Sequence, residues 1–159
     1  MRIRTLVVGV VLVAAVAFAT NAVAQSTDPW IGTWKVNLAK SKYSPGPAPK
    51  SSTIIITAAD GGIKQVNDAV PSTGAPTHSE LTCKFDGKDC AVKGNPNADT
   101  QTYTKIDGHS YTVVAKKGGK VTVTTKIVIS ADGKTRTATQ TGTDAQGKPV
   151  SNTIVYDRS

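Results

Sequence analysis

The chain has 159 residues, 19 Lys and Arg against 11 Asp and Glu, two Cys and 5% aromatic residues. That length suits one domain and speaks against a multidomain enzyme. The net charge of +8 is carried by scattered lysines without interleaved stacking aromatics, which leaves nucleic-acid binding unsupported. In chain order, the first segment reads as an export signal covering residues 1–24. Met1-Arg2-Ile3-Arg4 is basic, Leu6 to Ala19 is an almost unbroken apolar run, and Ala22-Val23-Ala24 supplies a small-x-small cleavage pattern. The run is too short for a good transmembrane anchor, and no Cys follows the cleavage site to take a lipid. Cleavage after Ala24 leaves residues 25–159 as a single domain, in the periplasm or outside the cell, with the charge reduced to +6 as Arg2 and Arg4 depart.

The mature segment is poor in large apolar residues. Nine Ile, eleven Val, two Leu and one Phe make 23 of 135 positions, a fraction at which disorder is a fair prior. Three features oppose it: twenty Thr, the tenfold excess of Val and Ile over Leu, and recurrent Gly-bearing turn signals. β-branched residues fit a pleated, half-buried surface and lose rotamer freedom in helices, and no stretch after Ala24 has helical apolar spacing. Alternation and punctuation give about ten strands, at 30–38, 51–58, 63–70, 78–85, 89–93, 100–106, 110–116, 120–130, 135–143 and 150–157. No connection can hold a crossover helix, so each strand should pair antiparallel with the next. Closure into an up-and-down β-barrel removes the two edges that a flat sheet would expose.

The connections alternate in kind. Asp60-Gly61, Asp86-Gly87, Asp107-Gly108 and Asp132-Gly133 are short and suit hairpin turns with positive φ at both central residues. Those between them are mostly longer: 39–50 with three prolines, 71–77, 94–99 and 144–148, with Lys117-Gly118-Gly119 the short exception. In a meander this places tight turns and both termini at one end and a looser rim at the other, the shape of a ligand cup. Two-residue turns at the second and fourth Asp-Gly pairs place Leu81 opposite Val92, Cys83 opposite Cys90, Arg136 opposite Ile129 and Ala138 opposite Ile127. A five-residue loop then sets Ile154 by Ala138 and Tyr156 by Arg136. A three-residue loop at 117–119 sets Val113 opposite Val123 and Tyr111 opposite Thr125, with Val121 on the apolar face. In the strand at 100–106 either Tyr103 or Ile106 points inward.

Gly32-Thr33-Trp34 on the first strand is a G-x-W. On the first strand of an exported ten-strand barrel it resembles the lipocalins and the wider calycin group. The run from Asp28 to Tyr43, with Asp86-Gly87-Lys88, 94–99 and Gly147-Lys148-Pro149, is similar to small exported bacterial lipocalin-like proteins of uncharacterised function. That resemblance implies that Trp34 plugs the closed end and that a basic side chain, Arg136 or Arg158, covers it; a guanidinium suits an indole face. There is no helical segment after the last strand, and 39–50 cannot hold the two-helix lid of fatty-acid-binding proteins, so no ligand class follows from the resemblance.

Cys83 and Cys90 face one another in an exported chain, which favours a disulfide at a hydrogen-bonded position of the hairpin over two free core thiols. A metal site lacks further ligands. His109, Arg136 and Tyr156 fall near one end, either as a small polar site able to hold a carboxylate or, as the tight turns favour, as part of the plug. Tyr43, Val121, Tyr103 and Tyr111 are the ligand-facing candidates toward the open end. Glu80 is the only Glu, and no nucleophile motif or phosphate-cradling loop is present, so neither catalytic residues nor a cofactor is expected. The resulting expectation is a monomeric, non-enzymatic carrier of a small apolar or amphiphilic molecule. The alternatives are an envelope or surface protein whose filled barrel presents loops to a partner, and an enzyme on the same barrel.

Overall fold

The computed structural model describes residues 28–159; residues 1–24, which the sequence reads as an export signal, lie outside the described residues. Ten strands follow one another: β1 (Gly32–Val36), β2 (Ser51–Ala59), β3 (Gly62–Val70), β4 (Thr77–Lys84), β5 (Asp89–Lys93), β6 (Thr100–Lys105), β7 (Ser110–Lys117), β8 (Lys120–Ile129), β9 (Thr135–Thr143) and β10 (Pro149–Arg158). Each pairs antiparallel with its successor, and β1 pairs with β10, so the meander closes on itself as a lipocalin-like barrel. β1 is shorter than the apolar pattern implies. Trp30 lies in the turn before it, and Leu38–Lys40 form one 3-10 turn capped by Asn37, whose Oδ1 accepts from Lys40 N at 3.1 Å.

One end carries the connections 60–61, 85–88, 106–109 and 130–134 together with the start of β1 and the end of β10. The other carries 37–50, 71–76, 94–99, 118–119 and 144–148. The tight turns differ from expectation in conformation. Among the described residues no non-glycine has positive φ, so the Asp of each Asp-Gly pair is not left-handed; Gly61, Gly87 and Gly133 alone supply positive φ there. The aspartates act through their side chains. Asp86, Asp107 and Asp132 each accept, through Oδ1, the backbone N–H two residues on, at 3.1, 2.7 and 3.0 Å, the Asx arrangement that stabilises a turn without strained φ.

The registers of β4 with β5, β8 with β9 and β9 with β10 are as the turns imply: Leu81 opposes Val92, Arg136 opposes Ile129 and Tyr156, and Ala138 opposes Ile127 and Ile154. The register of β7 with β8 is corrected. Lys117 pairs with Lys120, so the turn has two residues, and a bulge follows in which Lys116 pairs with Val121 but Ala115 pairs with Val123. Tyr111 therefore opposes Ile127 and Val113 opposes Thr125. The extra residue, Thr122, turns inward and is buried, while Val121 faces solvent at 58% exposure. A bulge reverses the facing of every residue on its far side. Gly142, at φ 144°, lies against this bulge, where a Cβ would strike the Thr122 carbonyl.

Cys83 and Cys90 are disulfide-bonded, with Cα atoms 5.4 Å apart. The paired residues of β4 and β5 end at Leu81 and Val92, so the bridge lies beyond the ladder, not at a hydrogen-bonded position, and holds together the part of the hairpin that pairing leaves open. Tyr103 points inward with 2% exposure and Ile106 outward with 60%.

Candidate functional site

The closed end is plugged by Trp34 and Trp30, both fully buried. Trp34 Nε1 donates to Trp30 O at 3.2 Å, which ties the Trp34 indole to the backbone of the turn before β1. Arg158, the last residue of β10, lies opposite Trp34 with its guanidinium carbon 4.3 Å from the ring centroid. Its Nε donates to Gly133 O at 2.5 Å, and Nη1 and Nη2 donate to Ile31 O and Pro29 O, each at 2.6 Å. One side chain thus covers the indole and ties together the 130–134 turn and the segment leading into β1. A groove of about 870 Å³ beneath this end is lined by Pro29, Ile31, His109, Lys134 and Arg158 and borders Asp28, the first described residue. The indole plug stands between it and the barrel interior.

The interior is layered. Inward positions in the closed half are filled by Trp30, Trp34, Tyr103, Tyr111, Ile56, Ile63 and Ile129, all at or below 2% exposure. Above them lie Ile54, Leu81, Val113, Ile127, Ala138 and Ile154. Nearer the loop-bearing end the inward rows become polar: β9 runs Arg136, Ala138, Gln140; β10 runs Tyr156, Ile154, Asn152; β3 runs Ile63, Gln65, Asn67. These carboxamides bond to each other and to the floor. Tyr103 hydroxyl donates to Gln101 Oε1 at 3.1 Å with Gln65 Oε1 3.4 Å away as the alternative acceptor of its one proton, Asn152 Nδ2 donates to Gln140 Oε1 at 3.1 Å, and Ser52 Oγ donates to Asn67 Oδ1 at 3.1 Å. Asn152 Oδ1 also accepts from Ser44 N at 2.9 Å, tying the proline-rich rim to the mouth. Beside this network is a cavity of about 240 Å³, lined by Asn95, Asn97, Gln101, Gln140 and Asn152 over Val113, Ala115, Val123 and Thr125.

Of the residues singled out in the sequence, Tyr103 reaches this polar layer through its hydroxyl, and Tyr111 lies deeper, 5.9 Å from Tyr103 between ring centroids. Tyr43 is half-buried against the core from the rim; burial and the nearby Tyr156 hydroxyl raise its pKa, opposed by a hydrogen bond with Ser41. Val121 is removed from the site because the bulge turns it outward. His109 does not join Arg136 and Tyr156. It sits exposed on the 106–109 turn, while Arg136 is buried with its guanidinium carbon 5.0 Å from the Tyr156 ring centroid. Burial pushes the Tyr103 phenol up to about 12 and Tyr111 higher still, against the opposing effect of Arg136. Both phenols are therefore neutral hydrogen-bonding groups and not general bases at neutral pH. The carboxamide layer and Trp30 escaped the sequence reading. Two-residue steps along β9 from Arg136 and along β10 from Tyr156 lead to Gln140 and Asn152, and that periodicity was the available signal.

No protein-family model matches the sequence, and no curated protein matches it significantly. Among solved structures the barrel is similar to an S-type phycobiliprotein lyase from Guillardia theta, with a TM-score of 0.54 and 12% sequence identity, over 83% of this chain and 89% of that one. At that identity the likeness shows the fold. It also overturns the expectation that the chain is not an enzyme: a barrel of this fold is a lyase, so the absence of familiar catalytic motifs does not exclude enzymatic chemistry here.

Proposed function

We propose that this chain is an exported, monomeric, single-domain lipocalin-like protein of bacterial type that takes a small amphiphilic molecule into its barrel from the loop-bearing end. The observation that carries the reading is the carboxamide-lined cavity of about 240 Å³ at that end, set over an apolar layer and closed below by the indole plug. Carboxamides donate and accept at once, so they recognise a neutral polar or hydroxylated portion of a ligand while Val113, Ala115 and Val123 receive an apolar one. The volume is below the ~300–1,000 Å³ usual for drug-sized ligands, which restricts the occupant to a small molecule or to one end of a larger one. Tyr103 forms the floor through Gln101, and Tyr43 contributes from the rim. The disulfide is compatible with export to an oxidising compartment.

Native mass spectrometry of the protein purified from its own host, with amide NMR of the mature chain titrated with small amphiphiles, tests this. The expected result is a chain beginning at Gln25, with the disulfide intact, carrying a retained small molecule that is lost on denaturation. A chain that keeps residues 1–24, or one that carries nothing and whose Gln101 and Gln140 side-chain amides respond to no small amphiphile, would overturn the reading.

A further inference from the structure

The polar wall of the mouth cavity carries a definite set of donors and acceptors. No Lys or Arg lines it, although the chain holds 19 of them, and Asp144 is its one charged lining residue. Two of its carboxamides are held in a fixed orientation by backbone N–H groups, which can only donate. Ser44 N donates to Asn152 Oδ1 at 2.9 Å, so the other polar atom of that side chain is the nitrogen. Asn152 Nδ2 then donates to Gln140 at 3.1 Å, and the atom that receives it is Oε1. Gln140 Nε2 is thereby left over. Asn97 N donates to Asn95 Oδ1 at 2.9 Å, which leaves Asn95 Nδ2 over in the same way. Neither nitrogen has an acceptor among the described residues. Asp144 is the reverse case: its Oδ1 accepts from Gln146 N at 2.9 Å and from Lys148 N at 2.8 Å, and its Oδ2 has no donor among the described residues.

We propose that the cavity binds the head of a neutral acyl amide, whose carbonyl oxygen accepts from the Gln140 and Asn95 side chains and whose N–H donates to Asp144, with the acyl chain on Val113, Ala115 and Val123. This rests on the ligand-binding reading above and deepens it by naming the head group. A carboxylate meets the same two donors but faces Asp144, and it gives up its hydration with no cation on the wall to replace it. An ammonium suits Asp144 but sets donors against donors. A hydroxyl must serve both sides with one oxygen and one proton, whereas an amide carries its acceptor and its N–H on separate atoms of one planar group.

The test titrates the full mature chain with octanamide, octanoate, octylamine and 1-octanol, four probes of one chain length, and follows side-chain amide signals by two-dimensional ¹H–¹⁵N NMR. Octanamide is expected to move the Gln140 and Asn95 side-chain signals and to bind at least about tenfold tighter than either charged probe and about fivefold tighter than 1-octanol, the differences expected for unpaired polar groups and for one neutral hydrogen bond. Gln140→Glu keeps the oxygen that accepts from Asn152 and exchanges only the free N–H2 for an oxygen. It should weaken octanamide about tenfold and strengthen octylamine, a reversal that a purely structural role for Gln140 would not produce. Asp144→Asn should narrow the gap between octanoate and octanamide, and the wild-type ranking stands by itself should either variant fail to fold. If the four probes move the Gln140 and Asn95 signals with equal affinity, or octylamine or octanoate binds tightest, the amide assignment is overturned and the cavity reading survives. If no probe moves these signals or those of Gln101, both are overturned.

Discussion

Replacing Arg136 by Met should make the ligand-free protein more stable, an unusual expectation for a core substitution. The side chain is 4% exposed and has no anionic partner among the described residues, so removing it strands no opposite charge. Exchanging buried ionic groups for apolar ones of similar volume is often stabilising by about 1–4 kcal/mol. The contact with the Tyr156 ring at 5.0 Å is lost, which subtracts on the order of 1 kcal/mol. The net gain is about 0–3 kcal/mol. Unfolding entropy of about 2.1 cal/mol/K per residue over the described barrel converts this to a rise of up to roughly 11 °C in Tm. Differential scanning calorimetry on protein dialysed into carboxylate-free buffer measures it directly. A variant that melts several degrees below the wild type would refute the reasoning, because it would mean that the guanidinium is already compensated.

Two further outcomes follow from the geometry. Replacing both Cys83 and Cys90 by Ser releases an eight-residue loop, for which chain entropy gives about 2.5 kcal/mol, or a fall of roughly 9 °C in Tm; a fall below about 3 °C would mean that the β4–β5 hairpin holds without its bridge. Alkaline stability should depend on Tyr103, whose folded pKa of about 12 lies above its value of about 10 in the unfolded chain. The unfolded state ionises first, so the contribution is complete below pH 10 and is lost as pH rises from 10 through 12, amounting to about 2–3 kcal/mol. Urea unfolding at pH 9, 10, 11 and 12 should show that decline in the wild type and a shallower one in Tyr103→Phe. Equal slopes would remove Tyr103 as its source.

The fold was legible because two independent sequence signals agree. Thr, Val and Ile alternation marks the strands, and the Asp-Gly pairs mark every second connection; together they fix both the strand count and which end is tight. The inward rows of β4, β5, β9 and β10 followed from turn length alone, since a period of two leaves only one choice of face once a turn is set. The same logic failed at β8. Val121, Val123, Thr125, Ile127 and Ile129 alternate without a break, yet the strand carries a bulge at Thr122. What requires it is the partner strand: Gly142 offers the one site on β9 without a Cβ against which the Thr122 carbonyl can lie. A bulge is a property of a strand pair, and single-strand periodicity does not contain it.

The candidate site was less legible for a related reason. Hydrophobic patterning treats Gln65, Gln101, Gln140 and Asn152 as ordinary polar positions, because it assumes that the inward face is apolar along its whole length. In a closed barrel the same inward row crosses from a dry base to a wet mouth, so polarity must be read by depth as well as by face. Depth comes from counting residues outward from the tight turns. Arg136 lies one position into β9 from the 130–134 turn, deep in the dry half, whereas Gln140 lies four residues further toward the rim. By that count the carboxamides belong at the mouth, around the cavity that they line. Arg136 does not: at its depth every neighbouring inward position is aromatic or aliphatic. The same charge that would be ordinary at the mouth stands out at the base, and only its depth, counted from the turn, distinguishes the two positions.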